Sequence, residues 1–209
     1  YVNEELDGND EANEWLQSAE KVLYRAFARS NFQEQIHELY HDLVVFGTGV
    51  MFVEEDDDFM LRFSTRHISE CYLSENEHGR VDTVYREFKM PARACVNRFG
   101  KENVSEKMLK RAEKSPFEIV DVCHAVFSRD EYDKTKFNAE NKPFASIYFD
   151  AESEIVLSES GFDDFPYMCP RFLKSSHEIG YGRSVAMVSL PDIQMLSAMS
   201  QTTIKAAQK

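Results

Sequence analysis

Apolar positions in the first 46 residues recur at helical spacing. Leu16, Ala19, Leu23, Ala26 and Phe27 fall on one stripe, and Phe32, Ile36, Leu39, Leu43 and Phe46 step by four, three, four and three. Two α-helices follow from this spacing. The first covers 10–29 with Asp10 as its cap, and the second opens at Asn31 and stops at a left-handed Gly47. The short link between them predicts a hairpin or a sharply bent pair, and residues 1–9 read as a loose, acidic lead-in. The period then changes to two. Residues 50–54 are rich in β-formers, and Phe59, Leu61 and Phe63 alternate with Met60, Arg62 and Ser64 across an acidic turn at 54–58. Further strands are predicted near 71–73, over 80–90 after a turn at 76–79, and over 117–127. A second hairpin pairs 144–149 with 154–158. Pro91 opens a short helix that Gly100 ends, residues 104–114 read as another, and 128–142 is a polar loop. Residues 167–173 read as an edge strand, because Pro166 and Pro170 cannot donate to a ladder.

The pattern changes again near the end of the chain. Gly180, Tyr181, Gly182, Arg183 and Ser184 form a turn that bulky residues could not follow. Ser184 can cap what comes after, and Pro191-Asp192 suits the first turn of a helix. From Ile193 to Ile204 there is no charged residue. A helix with one side in water normally carries charge there, so this one is predicted to meet protein on more than one side. Its small residues, Ser197, Ala198 and Ser200, permit close approach, and Leu196 and Met199 fill the gaps. Of these, Leu196, Ala198, Met199 and Ser200 are the candidate subunit-interface residues, the ones expected at the contact. The sequence is still helical at Lys209, which predicts a fragment of a longer chain. The sum is an α+β domain over 1–183, with N-terminal helices and a mostly antiparallel sheet in the middle. The start of a long helix follows over 184–209.

Charge narrows the function. A formal net charge of −13 argues against a surface that grips nucleic acid, which relies on clustered Lys and Arg. No apolar run approaches the ~20 residues of a membrane span. Cys71, Cys95, Cys123 and Cys169 follow no Cys-x-x-Cys spacing, which predicts reduced, mostly buried thiols in an intracellular protein.

One stretch offers catalytic chemistry. His37-Glu38-Leu39-Tyr40-His41 matches the zinc-hydrolase pattern, two imidazoles one helical turn apart with a glutamate to activate a bound water. The extended pattern wants Gly and His where Val44 and Gly47 stand, and the apolar stripe through Ile36, Leu39 and Leu43 leaves both histidines off its centre. The plainer reading is two surface histidines. The acidic run 54–58 lacks the spacing and the glycine of a calcium loop and reads as a solvated turn. Gly47-Thr48-Gly49 lacks the Lys-Ser/Thr of a phosphate loop and reads as a helix stop leading into a strand.

Several of these segments together resemble the head-to-tail connector, or portal, proteins of short-tailed bacteriophages. The resemblance rests on Gly180-Tyr181-Gly182-Arg183-Ser184, Leu190-Pro191-Asp192-Ile193, Asn31-Phe32, Phe46-Gly47-Thr48-Gly49, residues 79–88 and residues 166–172. It covers nearly the whole chain in order. Val185 stands where the family usually has proline, and Ser197 where asparagine often follows leucine. The resemblance implies a wing region leading into a stem helix, with the clip, second stem helix and crown beyond Lys209. It implies a structural role without catalytic residue, metal or cofactor. Subunits of such proteins form a ring, usually of twelve, at one capsid vertex. DNA is packaged and ejected through the ring, without sequence-specific binding. The partners implied are other copies of the chain, the terminase, capsid or scaffold proteins and tail proteins, in the virion and, during assembly, the host cytoplasm, with no membrane.

Overall fold

A computed structural model of the protein describes residues 9–133, 136, 138–174 and 179–208. The expected lead-in, apart from Asn9, lies outside them. Helix α1 spans Asp10–Arg29. Its cap is Asn9 and not Asp10: the Asn9 side chain accepts from the amides of Glu11 and Ala12, leaving Asp10 as a negative charge in the first turn. Helix α2 spans Phe32–Phe46 and ends on Gly47 at φ +78°. The rings of Phe27 and Phe32 stack at 4.8 Å across the link, which fixes the bend between the two helices.

Among the described residues, eight strands form two antiparallel sheets where the sequence pattern pointed to one. Strands β1 (Val50–Asp56), β2 (Met60–Arg66) and β8 (Tyr167–Met168) make a three-stranded sheet in the order β2-β1-β8. Strands β3 (Cys71–Glu75), β4 (Val81–Pro91), β5 (Ile119–Ser128), β6 (Phe144–Asp150) and β7 (Val156–Phe162) make a meander in chain order. Val84 and Phe88 on β4 share a face with Val122 and Val126 on β5, by the period of two. The small sheet covers one end of that face: Val50, Phe52 and Tyr167 meet Val84 and Val126. Helices α3 (Ala92–Phe99) and α4 (Glu106–Lys114) cover the other end, packing Cys95, Phe99 and Met108 on Phe88, Val122 and Leu157. On the far side of the small sheet, Met51 and Phe63 meet Leu39 of α2.

The expected edge strand shrinks to Tyr167 and Met168, with isolated bridges at Arg171 and Leu173. Pro166 and Pro170 bracket it, as their missing N–H groups require. The second hairpin is longer than its pattern indicated, because β7 runs on to Phe162. The other outer edge of the small sheet is closed from the side. Asn31 does not cap α2 with its side chain. It donates to the Phe63 carbonyl at 2.8 Å and accepts from the Phe63 amide at 2.9 Å, and the Gln35 side chain accepts from the Thr65 amide. Two amides thus stand in for a missing strand on β2 and blunt an edge open to pairing.

Candidate functional site

Two segments far apart in the chain, the end of α2 and the stretch before the last helix, meet at one point. The Gly47 carbonyl accepts from the Phe172 amide at 2.9 Å, and the Thr48 hydroxyl accepts from the Gly182 amide at 2.8 Å. Leu173 and Arg183 exchange both backbone hydrogen bonds. The approach is close enough to require glycine on both sides. A Cβ on Gly182 would lie 2.7 Å from the Gly47 oxygen, and one on Gly47 would lie 2.4 Å from the Ser184 nitrogen. Gly-Thr-Gly is thus a helix stop and strand entrance, as read, and also half of a backbone clasp.

Tyr181, between the two glycines of the turn, seals the edge of β3. Its hydroxyl donates to the Cys71 carbonyl and accepts from the Leu73 amide, both at 3.2 Å. Glu75, at the end of β3, holds the same region by charge. Its carboxylate takes an ion pair from Arg171, accepts from Lys174 at 2.8 Å, and accepts the Gly180 amide at 3.0 Å. Arg171 and Lys174 both donate as well to the Gly79 carbonyl at 3.0 Å. The Glu75 side chain is only 9% exposed. Thr48 and Arg171 lie in segments the sequence reading singled out and Glu75 does not, but no local pattern joined any of them to its partner, which lies roughly a hundred residues away.

The clasp fixes the root of helix α5, Val185–Ala207. Ser184 is fully buried and its hydroxyl accepts from the Met187 amide at 2.9 Å. The helix therefore starts six residues before Pro191, which lies inside it and not in its first turn. Proline there withholds the N–H that would reach the Met187 carbonyl. No residue of α5 is buried. Leu196 is 60% and Met199 59% exposed, and Ala198 and Ser200 are exposed beside them. Thr202 and Thr203 turn their hydroxyls back onto the carbonyls of Ala198 and Met199. These two hydroxyls are satisfied within the helix, so protein can cover them without stranding a donor.

His37, Glu38 and His41 are exposed on α2. They line one surface depression with Asp42, Thr65 and His67, the last an imidazole the sequence pattern did not connect to them. The Nδ1 of His67 is engaged with Ser69 at 2.7 Å. Among the described residues, no group of three or more His, Cys, Asp or Glu lies close enough to hold a metal ion. Elemental analysis of protein purified without added metal is expected to find well under one zinc per chain. About one zinc, lost on His37→Ala together with a hydrolytic activity, would revive the hydrolase reading. In the acidic hairpin, Asp56 spends its carboxylate on the amides of Asp58 and Phe59, as a solvated turn does.

One buried polar band crosses the space between the two apolar clusters. Arg86, His124 and Tyr148 are register neighbours on β4, β5 and β6. His124 hydrogen-bonds Ser146 at 2.9 Å and Tyr167 at 3.2 Å, and Tyr148 stacks on its ring at 3.9 Å. Burial, and then the charges of Arg98, Arg86 and Arg66, push its pKa down to about 3. A histidine so held is neutral and enclosed, a core residue and not a proton shuttle. All four cysteines are free thiols; burial pushes Cys71 and Cys169 up to about 12 and Cys95 to about 11.

The profile of the bacteriophage head to tail connecting protein family matches residues 2–209. The chain belongs to that family. The portal protein of Salmonella phage epsilon15 is 33% identical over 185 residues, covering 87% of this chain and 33% of that protein. The probable portal protein of Bordetella phage BPP-1 is 32% identical over 195 residues, covering 92% of this chain and 35% of that protein. The chain thus spans about a third of the length of these curated relatives. The connector family match takes in the α2 stop, the β3–β4 pair and the α5 root alike. No helix among the described residues is long and apolar enough to cross a membrane.

Proposed function

We propose that this chain is the wing (1–183) and the first part of the stem (184–209) of a portal subunit. In its full-length form it assembles, as a dodecamer, into a ring at one capsid vertex of the virion. The subunits form in the host cytoplasm and take no cofactor. DNA is packaged and ejected through the ring, driven by a terminase and received by tail proteins. The observation that carries the reading is α5, a helix of 23 residues with no buried residue and no charge from Ile193 to Ile204. Such a face needs protein against it, and a ring of copies supplies protein on both sides. The acidic balance suits a channel past which phosphate slides, since carboxylates repel it and a basic lining would hold it. The role is structural, and the exposed His37 and His41 have no part in it.

The test places a charge on α5 in the full-length protein. Ala198→Glu and Met199→Asp each put a carboxylate where Leu196, Ala198, Met199 and Ser200 meet the neighbour. An unpaired charge there must be desolvated, at a typical cost of several kcal/mol. Circular dichroism is expected to show an unchanged subunit, and electron micrographs far fewer rings. Normal ring yield from both variants would place this helix against solvent and remove the support it gives.

A further inference from the structure

A polar cleft of about 570 Å³ opens between β2 and α3. Strand β2 gives it Arg62, Ser64 and Arg66, alternate residues on the face turned to the larger sheet. Helix α3 adds Arg98, and the acidic hairpin from Glu54 to Asp57 forms the rest of the wall. The guanidiniums that gather around His124 are not equally served. Arg86 gives its Nε and an Nη to Glu70, at 2.9 and 2.8 Å. Arg98 donates to the Tyr148 hydroxyl at 3.1 Å and lies over the rings of Tyr148 and Phe99, at 4.8 and 5.3 Å. Arg66 is the exception. Its Nε is buried and has no hydrogen-bond partner, the one such side-chain atom among the described residues. Among those residues neither Arg66 nor Arg98 has a carboxylate within 4 Å. Burial, and then the charge of Arg86, hold the Arg66 pKa below its usual value, as befits a cation without a counter-ion in contact.

The carboxylates of the cleft stand at its other end. Glu54 is opposite Arg62 in the β1–β2 register, four residues from Arg66, which is about 13 Å along a strand. Asp56 gives its carboxylate to the amides of Asp58 and Phe59. Glu54 does act on Arg66 by charge, but less than Arg86, Tyr167 and Tyr148 do. A buried N–H on a charged group is costly to leave unbonded, and a guanidinium presents its donors as a planar fork that matches an oxyanion. We propose that Arg66 and Arg98 hold a small oxyanion, the size of phosphate or sulfate, at the inner end of this cleft. Arg66 supplies Nε and the Nη beside it. Arg98, fixed by Tyr148, and the Ser64 hydroxyl complete the set of donors. Both arginines line the cleft and both act on His124, so they serve one locus. The acidic end sets the size of the ligand. Glu54, Glu55 and Asp57 repel a polyanion such as DNA. A single oxyanion a strand's length away is largely screened from them, since charge acts over about 8 Å at physiological salt. The bound anion ties the small sheet to α3, so its role is structural, and the inference does not depend on the ring reading.

Calorimetric titration of inorganic phosphate into the full-length protein at pH 7.5 tests this, against sodium chloride of matched ionic strength. Saturable binding is expected at one phosphate per subunit, with a Kd on the order of 1 mM, as a few charge-assisted hydrogen bonds provide. Sulfate should compete for the site and chloride should not. Arg66→Met should weaken phosphate by about tenfold or more, the loss of one charge-assisted hydrogen bond. The same variant gives a second reading of opposite sign. In phosphate-free buffer it sheds a buried donor that has no partner, so its urea midpoint should equal or exceed that of the parent. In phosphate well above the Kd the parent gains stability by binding and the variant does not, so the order should reverse. Arg98→Lys, at an exposed position, keeps the charge without the fork, and should also weaken phosphate, by less than Arg66→Met. No saturable binding at phosphate concentrations far above that Kd would overturn the proposal and assign the Arg66 Nε to water. Equal phosphate affinity in the parent and in both variants would place the anion elsewhere and overturn it as well. A phosphate-free loss of stability in Arg66→Met, with no binding to the parent, would show that Arg66 finds its partner within the chain, and overturns it too.

Discussion

Glu75→Ala is expected to lower the unfolding free energy by about 3 kcal/mol, the low end of what removing one partner from a buried ion pair costs. The Arg171 side chain is 14% exposed, and without Glu75 its guanidinium keeps, among the described residues, only the Gly79 carbonyl as a partner. Lys174 is more exposed and recovers water, so its share is small. The Gly180 amide loses its acceptor, and with it the turn that positions Tyr181 on β3 loosens. Glu75→Gln keeps an acceptor for that amide and gives up only the charge, so it should lose roughly half as much. Urea unfolding of the three proteins measures the losses. Hydrogen exchange should report faster opening at residues 180–184 in the alanine variant. A loss below about 1 kcal/mol for Glu75→Ala would mean that the backbone clasp holds the root of α5 without help from the charge network.

Why this network was invisible in the sequence, while α2 was plain, comes down to where partners sit. The α2 stripe is read against its own helix period, and its left-handed stop at Gly47 is a local backbone demand. Glu75 and Arg171 are 96 residues apart, and Gly182 and Thr48 are 134 apart, so neither pairing leaves a trace in a short window. The second sheet did leave a trace. Val50, Met51, Phe52 and Val53 are apolar at every position, as a strand covered on both faces must be, and not at alternate ones. Met51 faces Leu39 and Phe63, while Val50 and Phe52 face the larger sheet.

Two competing signals also decided the start of α5. Ser184 and Pro191 can each open a helix, and Ser184 prevails because the clasp buries it with its hydroxyl on the Met187 amide. One missing hydrogen bond at Pro191 is the smaller loss. The α1 stripe is the opposite case: spacing declares an apolar face but not whether its partner is in the same chain. The charge-free face of α5 has the same ambiguity. The sequence could therefore mark Leu196, Ala198, Met199 and Ser200 as residues in need of a neighbour without naming one.

The pH dependence of stability should carry the mark of His124. It is 2% exposed, and its pKa is down from 6.5 to about 3 because burial and three nearby guanidiniums oppose a positive ring. Between those two values the unfolded chain binds a proton that the folded chain refuses. This contribution is fully present above pH 6.5 and is lost as pH falls toward 3. Each unit well inside that window costs about 1.4 kcal/mol, so a drop from pH 7.5 to 4.5 costs nearly 3 kcal/mol at this one ring. Carboxylates titrate in the same range, and a variant separates them. His124→Phe keeps a ring for Tyr148 to stack on but cannot take a proton. It is expected to be less stable than the parent at pH 7.5 by about 1–3 kcal/mol, because Ser146 and Tyr167 lose a buried partner. As pH falls to 4.5 the gap should narrow by nearly 3 kcal/mol and close or reverse, since only the parent carries the histidine penalty. Urea unfolding of both proteins at pH 7.5, 5.5 and 4.5 gives the comparison. If the two stability profiles run parallel, His124 accepts its proton in the folded protein, and the buried band between the sheets is open to water.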